Sequence, residues 1–201
     1  AVFRIGMSDD TEIALLPCLI NNLRQIAPGV KIVVVHANKS NLADLVCNGV
    51  VSLAITSAQK IPEACRVKKL SVTDPLVLKS DSDAIPLSIE DFCRRPHVQV
   101  SPISDGYVEI DHELRKLGLS RNVVMTVPSF SSVGMMLIQN PELLSVLPRY
   151  VARIFSQWPG LASETLPIAT EPVELSMVWM PTYDKDASEK WIRDVIIRQL
   201  Q

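Results

Sequence analysis

Apolar stretches broken by short polar turns run from the first residues of the chain. Phe3-Arg4-Ile5-Gly6-Met7-Ser8 reads as a strand, and Asp9 stands three residues before Glu12 in the arrangement of a helix capping box. A helix is expected from there. Ile13, Leu16, Ile20, Leu23 and Ala27 recur by threes and fours along one face until Pro28-Gly29 stops it. Ile32, Val33, Val34 and Val35 then make a β-branched run within Val30 to His36, as expected of a strand covered on both faces. Asn38 to Ser40 supplies caps for a second helix through Cys47, Asn48-Gly49 closes it, and Val50 to Thr56 predicts a third strand. Such a β-α-β-α-β series with right-handed crossovers implies a doubly wound sheet.

The turn sequence Val72-Thr73-Asp74-Pro75 interrupts the series, and a second α/β set follows as far as about Pro172. Its strands are expected at Leu76 to Leu78, His97 to Ser101, Asn122 to Val127 and Leu143 to Leu147. Its helices are expected at Ser88 to Cys93, Val108 to Leu117, Ser129 to Gln139 and Arg149 to Gln157. Near the end, Glu174 to Met180 alternates as a strand, and Asp186-Ala187-Ser188-Glu189 is a second capping box that opens a C-terminal helix. Assigning these last two elements to the first set gives two Rossmann-like α/β lobes, 1–74 plus 175–201 and 75–174, joined by two crossover strands that serve as a hinge.

A chain of 201 residues, 47% hydrophobic and 21% charged, has enough apolar surface to bury a substantial core. Its formal net charge of -2 lacks the basic excess that nucleic-acid binding draws on, so the chain is not expected to bind DNA by itself. No apolar run approaches the roughly 20 residues that span a bilayer, and Ala1 to Phe3 carries no export signal. A cytoplasmic location with no membrane partner is therefore expected. Cys18, Cys47, Cys65 and Cys93 form no CxxC pair, and Cys18 and Cys47 fall in apolar helical patterns where buried, inert thiols are common. His36, His97 and His112 have no sequence-adjacent ligand partners, and Ser101 and Ser129 lack a nucleophile elbow. With no Walker loop or dinucleotide fingerprint either, no catalytic residue, metal or cofactor is expected.

Several segments, in order and at matching spacing over about 180 residues, carry a family resemblance. They are Phe3-Arg4-Ile5-Gly6-Met7-Ser8-Asp9-Asp10, Leu15-Leu16-Pro17, Ala27-Pro28-Gly29-Val30, Val127-Pro128-Ser129-Phe130, Leu147-Pro148-Arg149 and Glu174-Leu175-Ser176-Met177-Val178-Trp179-Met180-Pro181. The chain resembles the effector-binding domain of LysR-type transcription regulators, in the branch typified by nodulation and leucine-response regulators. The resemblance implies a fold similar to type II periplasmic binding proteins, with a small-molecule effector held between the lobes. It also implies a winged helix-turn-helix, absent from this sequence, through which the full protein would bind DNA. Relatives pair as dimers and tetramers, which makes Ile13 to Leu23 and Ser131 to Gln139 candidate homodimer contacts, although these apolar positions are equally able to face their own sheets.

Ligands of doubly wound lobes sit beyond the carboxyl ends of the strands. In the first lobe this selects Ser8, Asp9, Asp10 and Thr11, then Asn38 within Ala37 to Lys39, then Thr56 and Ser57 leading to Ala58. In the second it selects Ser101, Pro102, Ile103 and Ser104, and Ser129 with Phe130 at the expected start of a helix. Each has a plainer reading. Asp9 serves as a cap and Asp10 as a first-turn acid, or Asp10 selects a neutral or amine-bearing ligand, since relatives that bind acids tend to place a small hydroxyl there. Asn38 is a cap or a contact, Thr56 and Ser57 donate hydroxyls or form a solvated turn, and Phe130 is an apolar wall or packs into its own lobe. A free solute-binding protein of a transport system and a dimerisation module without a ligand remain the alternative functions.

Overall fold

The computed structural model describes residues 1–57, 60–80, 85–100 and 108–199. In chain order the elements are β1 (Val2–Met7), α1 (Asp9–Ile26), β2 (Lys31–His36), α2 (Leu42–Cys47), β3 (Leu53–Thr56), β4 (Arg66–Thr73), β5 (Leu76–Ser80), α3 (Ile89–Arg94) and β6 (Pro96–Val100). There follow α4 (Val108–Lys116), β7 (Asn122–Val127), α5 (Val133–Gln139), β8 (Ser145–Leu147), α6 (Arg149–Phe155), β9 (Leu161–Thr165), β10 (Val173–Trp179) and α7 (Ala187–Gln199). They form two compact units, lobe I (Ala1–Val72 with Glu174–Gln201) and lobe II (Thr73–Val173).

Lobe I is built on a five-stranded sheet in the order β2-β1-β3-β10-β4. β1 runs parallel to β2 and β3, with Met7 opposite both His36 and Ile55, so these three strands end at one rim. β10 returns antiparallel to β3, making the sheet mixed. Close packing behind this rim depends on Gly6: a Cβ there would lie 3.0 Å from Ala54 Cβ and 3.3 Å from Ala37 Cβ.

Three expectations are corrected here. The β-branched run of β2 is not covered on both faces; β2 is an edge strand whose residues are at best half-buried. α1 buries Thr11, Leu15, Leu19 and Leu23, at strict fourth-residue spacing, so the core stripe is rotated from the expected one. Ile13 and Leu16 are only partly covered and Ile20 is 50% exposed, which makes them a second apolar stripe beside the first. The third strand begins at Leu53 rather than Val50, and a further strand, β4, occupies Arg66–Thr73. β4 carries three basic residues and is largely exposed at the sheet edge, so it lacks the apolar run that reveals a buried strand.

Lobe II holds an antiparallel sheet, β8-β5-β9, and a parallel pair, β6-β7, linked through a bridge between His97 and Leu144. β5 is buried along its whole length despite ending Leu78-Lys79-Ser80. Lys79 meets Glu164 of β9 at 3.0 Å and donates to the Ile85 carbonyl at 3.0 Å, which compensates an ammonium that is only 3% exposed. His97 is fully buried: its Nε2 lies 2.7 Å from the Phe92 carbonyl, and the Phe92 ring stands edge-on to it at 4.6 Å. Burial, only partly opposed by that hydrogen bond, lowers its pKa to about 4.

Candidate ligand-binding site

Ser8 follows β1 directly and is the N-cap of α1, with extended backbone at φ -84° and ψ 164°. The expected cap, Asp9, is instead the first helical residue. Ser8 makes no side-chain cap hydrogen bond to the helix. Its hydroxyl donates to Asp10 Oδ1 and lies 3.3 Å from Thr11 Oγ1, while the Thr11 hydroxyl donates to the Ser8 carbonyl at 2.8 Å. Asp10 and Thr11 are buried, at 6% and 1% exposure, and Ser8 is half-buried. The helix start therefore presents a compact hydroxyl and carboxylate cluster in which Ser8, Asp10 and Thr11 are linked by hydrogen bonds within one turn.

The neighbouring strand ends complete this rim. The Ala37 N–H donates to the Met7 carbonyl at 2.8 Å, which holds the end of β2 against the end of β1. The Asn38 side-chain oxygen accepts from the Ser40 N–H at 2.9 Å and the Asn41 N–H at 3.2 Å, a local turn that leads into α2, whose N-cap is Asn41. Thr56 ends β3 opposite Ser176 of β10 and is buried, and Ser57 beside it is half-buried. Parallel register thus brings Ser8, Asn38 and Thr56, distant from one another in sequence, to one edge of the sheet.

The rim is acidic. Burial first, and then the negative charge of Asp9, raise the Glu12 pKa above the ordinary carboxylate value, with His36 acting in the opposite direction. A further carboxylate brought close would meet the same repulsion from Asp9, Asp10 and Glu12.

In lobe II, Ser129 and Phe130 follow the carboxyl end of β7, but they do not open a helix: α5 starts at Val133. Ser129 Oγ lies 2.6 Å from Ser131 Oγ, and Phe130 is only 5% exposed. Ser101, Pro102, Ile103 and Ser104, like Ala58, lie outside the described residues. Among the described residues no group of three or more His, Cys, Asp and Glu could hold a metal, and no helix is long and apolar enough to cross a membrane. The expectation that Cys18 and Cys47 are buried is corrected: both are exposed, and all four cysteines are free.

Known proteins resemble this chain over nearly its whole length. HTH-type transcriptional activator NahR of Pseudomonas putida is 27% identical over 197 residues, which are 96% of this chain and 65% of the relative. HTH-type transcriptional activator NagR of Ralstonia is 25% identical, covering 97% of this chain and 65% of its own length. The chain thus spans just under two thirds of these curated relatives. The regulatory domain of MexT, a transcriptional activator of Pseudomonas aeruginosa, superposes with a TM-score of 0.91 at 37% identity, covering 98% of this chain and 99% of that structure. The family model described as the LysR substrate binding domain matches residues 1–201, and the chain belongs to that family, with its two-lobed fold of the type II periplasmic-binding-protein kind.

Proposed function

We propose that the chain is the effector-sensing and oligomerisation part of a LysR-type transcription regulator, with a neutral or amine-bearing small molecule bound at the lobe I rim. The observation that carries the ligand site is the register of β1, β2 and β3, which sets Ser8, Asn38 and Thr56 at one rim beside the first turn of α1. Ser8 supports the reading further, because its hydroxyl stands at a helix start without capping it. Asp10 selects the ligand: a buried carboxylate at this rim favours an amine or hydroxyl donor and opposes an acid. Ser129, after β7, and the segment Ser101 to Ser104, after β6, are the lobe II candidates on the same strand-end rule. DNA binding would belong to a helix-turn-helix outside this sequence, and action on DNA would place the protein in the cytoplasm. A ligand controls such a regulator only through different affinity for two of its states.

The same reading includes pairing with a second copy of the chain. The partly covered stripe Ile13, Leu16 and Ile20 of α1 supports a lobe I contact. In lobe II, α5 offers Met135, 50% exposed, while Val133, Gly134 and Leu137 turn inward, and the strand β7 adds Val123, Val124 and Met125 at 38%, 55% and 49% exposure. Ile20→Glu together with Val124→Lys should convert a dimer to a monomer in sedimentation velocity; an unchanged dimer would refute these contacts.

The ligand site is tested by a thermal-shift screen against amines, amino acids and aromatic acids. A binder present at about 100 times its Kd should stabilise the fold by about 2.7 kcal/mol. Saturable stabilisation by an amine or neutral compound, weakened about tenfold or more by Asp10→Ser, is the expected result. Binding of acids only, or a response indifferent to Asp10→Ser, would remove Asp10 as selector. A folded dimer that responds to no compound class would favour a dimerisation module without a ligand.

A further inference from the structure

Away from the rim, lobe I leaves a charged strand edge open. β4 ends the sheet beside β10, and among the described residues nothing bonds to its outer edge. Its sequence, Arg66-Val67-Lys68-Lys69-Leu70-Ser71-Val72-Thr73, holds three basic residues and no acid. Lys69 meets Glu174 of β10 at 2.6 Å, and Arg66 meets Asp184, beyond the end of β10, at 3.1 Å. Lys68 has no ion-pair partner among the described residues. Alternation along the strand puts Arg66 and Lys68 on one face, and Val67 and Lys69 on the other. Edge lysines often serve only to keep other strands away. Here two of the three cations are already engaged, and Val67 and Val72, 49% and 47% exposed, offer apolar area for a further strand to cover.

We infer that the outer edge of β4 docks an acidic, extended segment of another protein, which joins the lobe I sheet as a further strand. Main-chain hydrogen bonds along the edge supply affinity, and the side chains on its two faces supply specificity. Charge selects the occupant. Neither β4 nor β2, the two edges of this sheet, contains an acid, so a second copy's sheet edge brings no counter-charge to Lys68. Nucleic acid suits the edge less well, because Glu174 and Asp184 already stand against two of the cations and the chain as a whole has a net charge of -2. Lys68 and Lys69 are successive and face opposite ways. A matching strand therefore presents two successive acids, one to each face, and a β-branched residue opposite Val67. β4 ends at Thr73, where the chain passes from lobe I to lobe II, so the added strand lies on one of the two segments that join the lobes. This docking edge does not depend on the effector reading.

The full chain and a fluorescein-labelled peptide, Thr-Val-Thr-Val-Glu-Glu-Val-Glu, written to lie antiparallel to Arg66–Thr73, provide the test. Fluorescence anisotropy should rise saturably at low salt, and Lys68→Glu, checked for fold by thermal melting, should weaken binding about tenfold or more. Two versions of the peptide carry N-methyl groups on alternate amides. Only one set of amides faces β4 in an added strand, so one version should lose binding while the other keeps it. A version with lysine in place of every glutamate should not bind. Lack of binding at about 1 mM chain would overturn the proposal. Equal binding by both methylated versions, by the lysine version or by Lys68→Glu would overturn it too. A DNA duplex that displaces the peptide from the chain but not from Lys68→Glu, while both methylated versions bind alike, would overturn it in favour of a phosphate contact.

Discussion

In lobe I three of the buried polar residues, Asp10, Thr11 and Thr56, gather at the carboxyl ends of parallel strands, whereas in lobe II the buried Lys79, His97 and Ser145 sit inside the sheet scaffold. The described bonds of the α1 start link Ser8, Asp10 and Thr11 within one turn. Lys79 instead reaches Glu164, and Ser145 donates to the Val98 carbonyl at 2.8 Å, each joining strands far apart in sequence. A polar group satisfied by its own turn can change or accept a ligand while the fold persists. One that joins strands is part of what keeps the fold together.

The strongest attempt to break this contrast is Glu164→Ala, which leaves Lys79 buried without its carboxylate and the Leu87 N–H without its acceptor at 2.8 Å. Urea denaturation should show a loss of about 3 kcal/mol, and Lys79→Met with Glu164→Leu should recover most of it. A loss below about 1 kcal/mol would mean that the lobe II pair is no more structural than the lobe I cluster.

Acid should act next most strongly, and through lobe II. The His97 pKa falls from 6.5 to about 4 in the fold, so below pH 6.5 the unfolded chain binds the proton and the folded chain does not. Its contribution is complete above pH 6.5 and is lost as pH falls toward 4, amounting to about 2 kcal/mol by pH 5. In His97→Gln, which can still donate to the Phe92 carbonyl, this part of the slope should vanish; a slope left unchanged would assign acid sensitivity elsewhere.

Two glycines sharpen the comparison at smaller scale. Gly6→Ala drives a methyl against Ala54 and Ala37 Cβ atoms carried on backbone that cannot retreat, and should cost about 2 kcal/mol. Gly134→Ala meets Phe155 and Trp158 ring atoms at 3.0 Å, but rings can tilt and alanine favours the helix, so its cost should stay under about 1 kcal/mol. Equal melting shifts would refute the distinction.

The smallest effects concern helix starts. Ser88 accepts from the Asp91 N–H at 3.1 Å and caps α3, so Ser88→Ala should cost about 1 kcal/mol. Ser8→Ala removes no cap bond and should cost less than about 0.5 kcal/mol, while weakening any ligand held at the rim. A loss from Ser8→Ala equal to that from Ser88→Ala would give Ser8 an ordinary structural role.

Much of this was legible in the chain. Asp186 was readable as the cap of α7, and its Oδ1 accepts from the Ser188 and Glu189 N–H groups at 2.8 and 3.1 Å. β7 runs over Asn122–Val127 as the apolar pattern predicts. Ser8, Asn38 and Thr56 could be named because strand ends in a parallel sheet are set by the order of elements. The core stripe of α1 was misread because Ile13, Leu16 and Ile20 lie directly beside Leu15, Leu19 and Leu23; with two apolar stripes, periodicity alone does not say which one faces the sheet.

The sequence by itself determined the alternation of strands and helices, the two-lobed α/β plan and the family, because hydrophobic period and turn chemistry act over neighbouring residues. Only the tertiary structure decided that β2 and β4 form the edges of the lobe I sheet, that β10 returns antiparallel beside β3, and that Lys79 meets Glu164. It also decided that Ser8 stands at the α1 start without capping it. These outcomes depend on which distant segments bury one another's apolar faces and satisfy one another's polar groups, and such pairings leave no mark at any fixed separation along the chain.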